Sequence, residues 1–209
     1  MSKSRVIFNT LAIPNIAANV SKKLADAQQL GEVEYLKMKY AIEVLLINIS
    51  KVTIIYTLAV ALGVWRQSLI VHVAYFILRM PSFGLHAKSS TVCTLVSSLF
   101  FIAIPMAARN LELSRGIILM IWIVIMLGLA KYAPAPTNKN RIGSDERKRM
   151  LKRKSLVHGG VLMAFVLVSE AFGFYIFNIS TLLTIGGFLQ LIMILPITYS
   201  MTGNTVVAK

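Results

Sequence analysis

Apolar positions divide this chain into one mixed segment followed by a series of long runs. Over residues 5–35 apolar and polar groups alternate at roughly helical spacing. Ile7, Leu11, Ile16, Val20, Leu24 and Ala27 share much of one face, with Lys22, Lys23 and Asp26 off it. This pattern predicts an amphipathic helix on a membrane surface, divided near Pro14; a solvated helix packed on its own protein explains it as well. Six apolar runs follow, at 41–64, 67–80, 92–108, 115–133, 157–177 and 181–201. Crossing a bilayer takes about 20 apolar residues. Ala41 to Val64 suffices despite Glu43 and Lys51, and Pro105 interrupts the third run. The second run is short, so it is either a tilted span or a re-entrant element, and four spans stand as the alternative to six. The expected fold class is all-α: a polytopic membrane helix bundle of six spans with an N-terminal amphipathic helix. Its organisation is a segment over 1–40 and a bundle over 41–209 that includes a basic loop at 134–154.

Composition excludes a soluble fold. The 209 residues are 56% hydrophobic and 14% charged, with a mean hydropathy of +0.72. Soluble domains run at about 45–50% and about 25%. The formal charge of +14 comes from 22 basic against 8 acidic residues. Lying between apolar runs, these cations read as topology signals and anchors to an anionic leaflet, not as a nucleic-acid surface. Residues 1–40 carry six Lys/Arg and residues 134–154 carry eight. The positive-inside rule therefore puts both on the cytoplasmic side with four spans between them, and puts Arg79 to Lys88 there too. No cleavable signal peptide is expected. The single cysteine excludes an intrachain disulfide and a cysteine-only metal site, and no metal or organic cofactor is expected.

The chemistry concentrates in Arg79-Met80-Pro81-Ser82-Phe83-Gly84-Leu85-His86-Ala87-Lys88-Ser89-Ser90-Thr91-Val92-Cys93, which holds the lone cysteine and one of three histidines. A thiol protease needs a thiolate and an imidazole to generate it, and neighbouring cations such as Arg79 and Lys88 lower a thiol pKa. The bland reading is a small packing residue and a solvated histidine. Spacing sets a condition on the sharper one. Seven residues of continuous helix separate two side chains by about 10 Å along the axis, too far for a hydrogen bond of roughly 3 Å. A His86–Cys93 dyad in one chain thus requires a break, for which Pro81, Gly84 and the Ser89-Ser90-Thr91 run provide. Cys93 would then lie in the first turn of the third span, where free N–H groups favour a thiolate and an oxyanion.

These residues resemble the AgrB family, integral-membrane cysteine endopeptidases of peptide quorum sensing. The resemblance rests on Arg79…Gly84-Leu85-His86-Ala87…Cys93. It extends to Tyr40-Ala41-Ile42-Glu43-Val44-Leu45-Leu46-Ile47-Asn48, similar to the family's entry to the first span, and to Tyr132-Ala133-Pro134-Ala135-Pro136-Thr137, similar to its segment before a basic loop. It implies cleavage of a short precursor peptide near its C-terminus, with Cys93 as nucleophile and His86 as general base. An internal precursor cysteine or serine captures the acyl-enzyme, giving a thiolactone or lactone pheromone. The implied partner is a precursor with an acidic C-terminal tail. The implied location is the cell membrane, with the active site facing the cytoplasm.

Other residues carry two readings each. Glu43 either orients His86 or pairs with a nearby cation. Arg79 binds a substrate carboxylate, pairs with Glu43, or anchors topology. Gly84 allows a backbone bend. Lys139 and Arg141 attract the acidic tail or anionic lipid; Thr137-Asn138-Lys139-Asn140-Arg141 departs from the tight lysine cluster of some family members. Glu170 reads as a contact within the bundle, and His72 and His158 as non-catalytic. The sequence leaves open whether the thiol works within one chain or in a homodimer. A small peptide transporter or exporter subunit without cysteine chemistry is the alternative function.

Overall fold

In the computed structural model, which describes residues 3–85, 90–136, 142–173 and 178–201, the described residues are helical apart from short connectors. The chain divides into two compact units, residues 1–57 and 58–209.

The first unit holds α1 (Lys3–Gln28) and most of α2 (Glu32–Ala61). α1 runs unbroken through Pro14, where a division was expected. A proline inside a helix removes one hydrogen bond and strains the turn before it, which distorts a helix without having to end it. The buried positions of α1 also differ from the expected stripe. Ala17, Ser21 and Ala25 are buried, while Ile16, Val20 and Leu24 are exposed. The Ser21 hydroxyl donates back to the Ala17 carbonyl at 2.6 Å, which lets a polar residue sit on a buried face. α1 ends at Gln29, whose φ is +51°, with Leu30 N–H donating to Ala25 O at 3.0 Å. That six-residue closure is a Schellman motif with glutamine in the left-handed position. α2 begins with Glu32 and Glu34 in its first turn, where negative charge suits the helix dipole. Along its length Leu45, Ile49, Val52, Ile54 and Val60 are exposed. A face so apolar is covered by acyl chains once it lies in a bilayer.

The second unit is a bundle of α3 (Trp65–Ser82), α6 (Arg115–Tyr132), α7 (Asp145–Ala171) and α8 (Ile179–Ile194), beside α4 (Ser90–Ser98) and α5 (Ile104–Ala107). Trp122, Ile118, Ile125 and Leu129 of α6 form its centre, against Ala74 and Leu78 of α3, Leu162 and Val166 of α7, and Leu183 and Leu191 of α8. Lipid is as apolar as leucine, so burial alone does not hold such helices together; close approach at small residues and a few buried hydrogen bonds do. Gly186 of α8 lies against the Val71 carbonyl of α3, and Gly128 and Gly159 lie against Leu191 and Met126. Trp122 Nε1–H donates to Thr184 Oγ1 at 2.9 Å within the core.

Among the described residues three helices are long and apolar enough to cross a membrane: α2, α6 and α7. α8 is apolar but shorter. α3 has 18 residues, but Arg66, Gln67, His72 and Arg79 interrupt its run. The third apolar run stays helical past Pro105. A π-helical stretch at Leu99–Ala103 widens the turn ahead of that proline, with Ile104 N–H bonded to Leu99 O, a common way to absorb a missing donor. The last apolar run is broken instead. Leu195 is extended, as a residue before proline favours, and α9 (Pro196–Met201) starts anew. Most of the basic residues expected in a loop at 134–154 are helical. α7 begins at Asp145 behind a Ser144 N-cap whose hydroxyl accepts from Arg147 N–H. Arg147, Lys148, Arg149, Lys152, Arg153 and Lys154 are exposed on its first turns, while Leu151 and Ser155 face inward.

Candidate active site

Four helix segments of the second unit meet at one end of the bundle: the C-termini of α3, α6 and α8, and the N-terminal half of α7. Each is tied to α3 by a bond that its own sequence makes available. Pro81 has no N–H, so the Ile77 carbonyl one turn earlier lacks its helical donor. His158 of α7 fills the vacancy, with Nδ1 2.9 Å from Ile77 O. A carbonyl only accepts, so this contact selects the tautomer protonated at Nδ1. α6 leaves its helix at Ala133, and after the cis Ala133–Pro134 bond the Ala135 N–H donates to Ser82 O at 2.9 Å. Pro196 ends α8, and the Met193 carbonyl there accepts the Leu85 N–H at 3.0 Å.

These ties converge on Phe83-Gly84-Leu85, the three residues immediately before His86. α3 stops at Ser82. Phe83 takes φ +59° and Gly84 φ +123°, a pair of left-handed conformations that turns the chain off the helix axis. Arg79 braces the turn from within. Its Nη2 donates to Leu85 O at 2.6 Å and its Nη1 to Phe83 O at 3.3 Å, while the guanidinium lies 5.6 Å from the centre of the Tyr75 ring. Arg79 thus serves backbone carbonyls left over at a helix terminus, a role the sequence readings did not include. Phe83 also forms an isolated parallel bridge with Ala135. The Tyr132–Thr137 and Arg79–Cys93 motifs, fifty residues apart in the chain, thereby meet in space.

His86 and the Lys139–Arg141 segment lie outside the described residues, as does the side chain of Cys93. Cys93 itself is the fourth residue of α4. Arg79 and Gly84 belong to the second unit, and Glu43 lies partly buried on α2 within the first. Glu170 sits at the opposite end of the bundle from the turn, 3.6 Å from Arg115 Nε, in keeping with a contact inside the bundle. His72 stacks on Phe101 at a ring separation of 4.1 Å, joining α3 to the π-helical segment. Among the described residues no three His, Cys, Asp or Glu side chains are grouped to hold a metal ion. The residue that sequence reading missed is Gln190, a buried amide on α8 beside the turn. Its signal was available, since it is the one polar residue between Phe188 and Ile194, and polar groups inside a membrane segment usually have a task.

Arg79→Lys is expected to slow any reaction that depends on this turn by about 10-fold. A lysine ammonium is a point donor and does not reproduce a planar fork spanning two carbonyls, and each hydrogen bond from a charged group contributes about 1.5–3 kcal/mol. If the chain cleaves a precursor as the resemblance implies, the check is the initial rate of tail release in membrane vesicles at matched protein amount; a wild-type rate would show that the turn does not need Arg79.

Among the described residues the structure is helical, with three membrane-capable helices and a hydrogen-bonded polar turn at one end of the bundle, which defines the class as a membrane protein. The model of the family Accessory gene regulator B matches residues 13–194, and the chain belongs to that family. It is 34% identical to an AgrB-like protein of Listeria monocytogenes over 80% of this chain and 79% of that one. It is 32% identical to an AgrB-like protein of Clostridium acetobutylicum over 90% and 88%. To an accessory gene regulator protein B of Staphylococcus intermedius it is 32% identical over 76% and 84%. No solved structure matches. Membership supports a role in the peptide processing of accessory gene regulator quorum sensing.

Proposed function

We propose that this protein is a membrane-embedded cysteine endopeptidase that removes the C-terminal tail of a pheromone precursor and supports its cyclisation. The observation that carries the reading is the braced turn at Phe83–Leu85. An end of helix fixed by Arg79, Met193 and Ala135 directly before a histidine, with the lone cysteine seven residues on at the start of α4, is what a thiol–imidazole pair on two chain segments requires.

In the proposed reaction His86 takes the proton of the Cys93 thiol. The thiolate adds to the scissile carbonyl, the C–N bond breaks, and the same proton passes to the leaving amine as the tail departs. The acyl group is then a thioester on Cys93. An internal precursor thiol attacks it, forming the ring thioester and returning Cys93 to the thiol; a serine hydroxyl would give the lactone. Exchange of one thioester for another is nearly isoenergetic, so exclusion of water at the membrane interface favours ring closure over hydrolysis. The positive end of the α4 dipole suits the oxyanion. Lys139, Arg141 and the exposed cations of α7 attract an acidic tail, which speeds encounter. By the positive-inside rule this end of the bundle faces the cytoplasm, which gives six spans when α3, the α4–α5 segment and α8 also cross. The domain plan is then a cytoplasmic segment over 1–40 followed by the bundle.

The test is mass spectrometry of a candidate precursor, a short peptide with an internal Cys or Ser and an acidic tail, co-expressed with wild type, Cys93→Ala or His86→Ala. Tail loss is expected with wild type and with neither variant, and the released fragment is lighter by one water than its linear hydrolysed form if the ring closes. Equal processing by all three would overturn the reading and favour an exporter without cysteine chemistry.

A further inference from the structure

Gln190 is fully buried, and both hydrogens of its amide are spent on the end of α3. Its Nε2 donates to Ser82 Oγ at 2.7 Å and to Phe83 O at 2.7 Å. Ser82 Oγ in turn donates to Leu78 O at 2.6 Å, so a short polar chain runs from α8 into the last turn of α3. Phe83 O receives Arg79 Nη1 as well, which fills both of its lone pairs. The other side of the amide, Oε1, is buried without a hydrogen-bond partner. Turning the amide over would satisfy nothing better, since Oε1 would then face the Phe83 carbonyl, acceptor against acceptor. An apolar residue of the same size would fill this place without an orphaned acceptor. The glutamine therefore answers a local need, that of Phe83, a non-glycine residue held at φ +59°. Such a conformation persists only when its surroundings over-determine it.

We propose that Gln190 is a positioning residue for the His86–Cys93 reaction: by holding the Phe83 carbonyl and Ser82 it sets the path along which the chain leaves α3 and enters His86. This rests on the function proposed above. The effect is separable from the packing of α3 on α8, because Gly186 makes the close approach to Val71 one helical turn away, where Gln190 takes no part. Loss of the amide leaves the helices together and frees the turn.

The experiment uses the full chain in membrane vesicles, with a precursor that wild type processes, and compares wild type, Gln190→Met, Gln190→Leu, Ser82→Ala, the Ser82→Ala/Gln190→Met double variant, His86→Ala and Cys93→Ala. Gln190→Met is expected to lower kcat by 10- to 100-fold with KM within about twofold. The pH profile of Cys93 alkylation should move toward that of His86→Ala, and thermal unfolding in detergent should stay near wild type. Ser82→Ala should cost about threefold alone and less than twofold on top of Gln190→Met, since residues in one network are not additive. If Gln190→Met does not accumulate, Gln190→Leu gives the same reading, because leucine has no donor for Phe83 O and kcat should fall equally. Wild-type kcat in either variant, or a fall in kcat with an unmoved alkylation profile and lost thermal stability, would overturn the proposal. A wild type that processes nothing, or a Cys93→Ala that processes normally, would overturn the peptidase reading and this proposal with it. Active wild type, inactive Cys93→Ala and fully active Gln190→Met would sink the role of Gln190 alone.

Discussion

Gly84→Ala is expected to cut precursor processing by at least about 100-fold while the bundle stays folded. Two costs combine at this position. Its φ of +123° is a conformation that a residue with a Cβ reaches only at about 1–3 kcal/mol. The added Cβ would also sit 2.8 Å from Arg79 Nη1 and 2.9 Å from Met193 O. The guanidinium is the end of a flexible side chain and moves, but moving it gives up its bonds to Phe83 O and Leu85 O. The Met193 carbonyl is backbone and is the partner of Leu85 N–H, so it yields only if α8 and the turn separate. Either way Leu85 shifts, and His86 follows it in the chain. A displacement of about 1 Å at a reacting group costs about 100-fold in rate. The measurement is tail release per folded protein, with detergent melting as the control. Processing at the wild-type rate would mean that the turn does not set the geometry of the reaction.

Gly186→Val is expected to do the opposite kind of damage, depleting folded protein before any question of rate arises. A Cβ at Gly186 would lie 2.5 Å from the Val71 carbonyl, 2.8 Å from Ala74 Cβ and 3.2 Å from the Tyr75 nitrogen. Two of these three are backbone atoms of α3, so no rotamer change relieves the clash. α3 and α8 must move apart along their whole contact, and with them the pairing of Leu85 with Met193. Overpacking in a close-packed core costs about 1–3 kcal/mol for small insertions, and valine adds two methyl groups beyond the first Cβ. In lipid no hydrophobic gain from water compensates, because separated helices are solvated by acyl chains. The control is Gly160→Ala on α7, which meets nothing within 4 Å and replaces a poor helix former by a good one. Membrane accumulation and melting temperature should fall sharply for the first variant and hold or rise for the second. Equal behaviour of the two would show that the α3–α8 contact is not what holds the bundle.

Period and punctuation explain what was legible in advance. Long apolar runs can only be helical in a membrane, because every backbone polar group must be satisfied within its own segment. The helical class, the approximate places of α2, α6 and α7, and the break around Gly84 ahead of His86 follow from that rule and from local residue chemistry. Prolines were less legible. Pro14 and Pro105 were read as interruptions and the helices continue past both, whereas the run from residue 181 stops at Leu195. A missing donor is tolerated where the neighbouring turn can widen or bend, and sequence does not report whether it can. The basic segment that opens α7 was read as loop because charge resembles solvation; its cations from Arg147 to Lys154 stand on a helix because Ser144 and the buried positions Leu151 and Ser155 give that stretch a cap and an inward face.

The candidate site divides the same way. Residue type alone singled out His86, Cys93, Arg79 and Gly84, since a lone thiol, an imidazole and a glycine at a helix end each carry a specific chemical capacity. What Arg79 holds, and that Gln190 holds the same turn, depended on tertiary structure. The Ser82–Leu85 segment takes its donors and acceptors from Ala135, Gln190 and Met193, each fifty residues or more away. Pairing at that distance is decided by how the helices pack, and packing here is governed by small residues such as Gly186. Periodicity is a property of one helix, and so the sequence by itself determined the elements and their chemistry. Which carbonyl each spare donor meets is a property of several helices at once, and only the assembled bundle decided it.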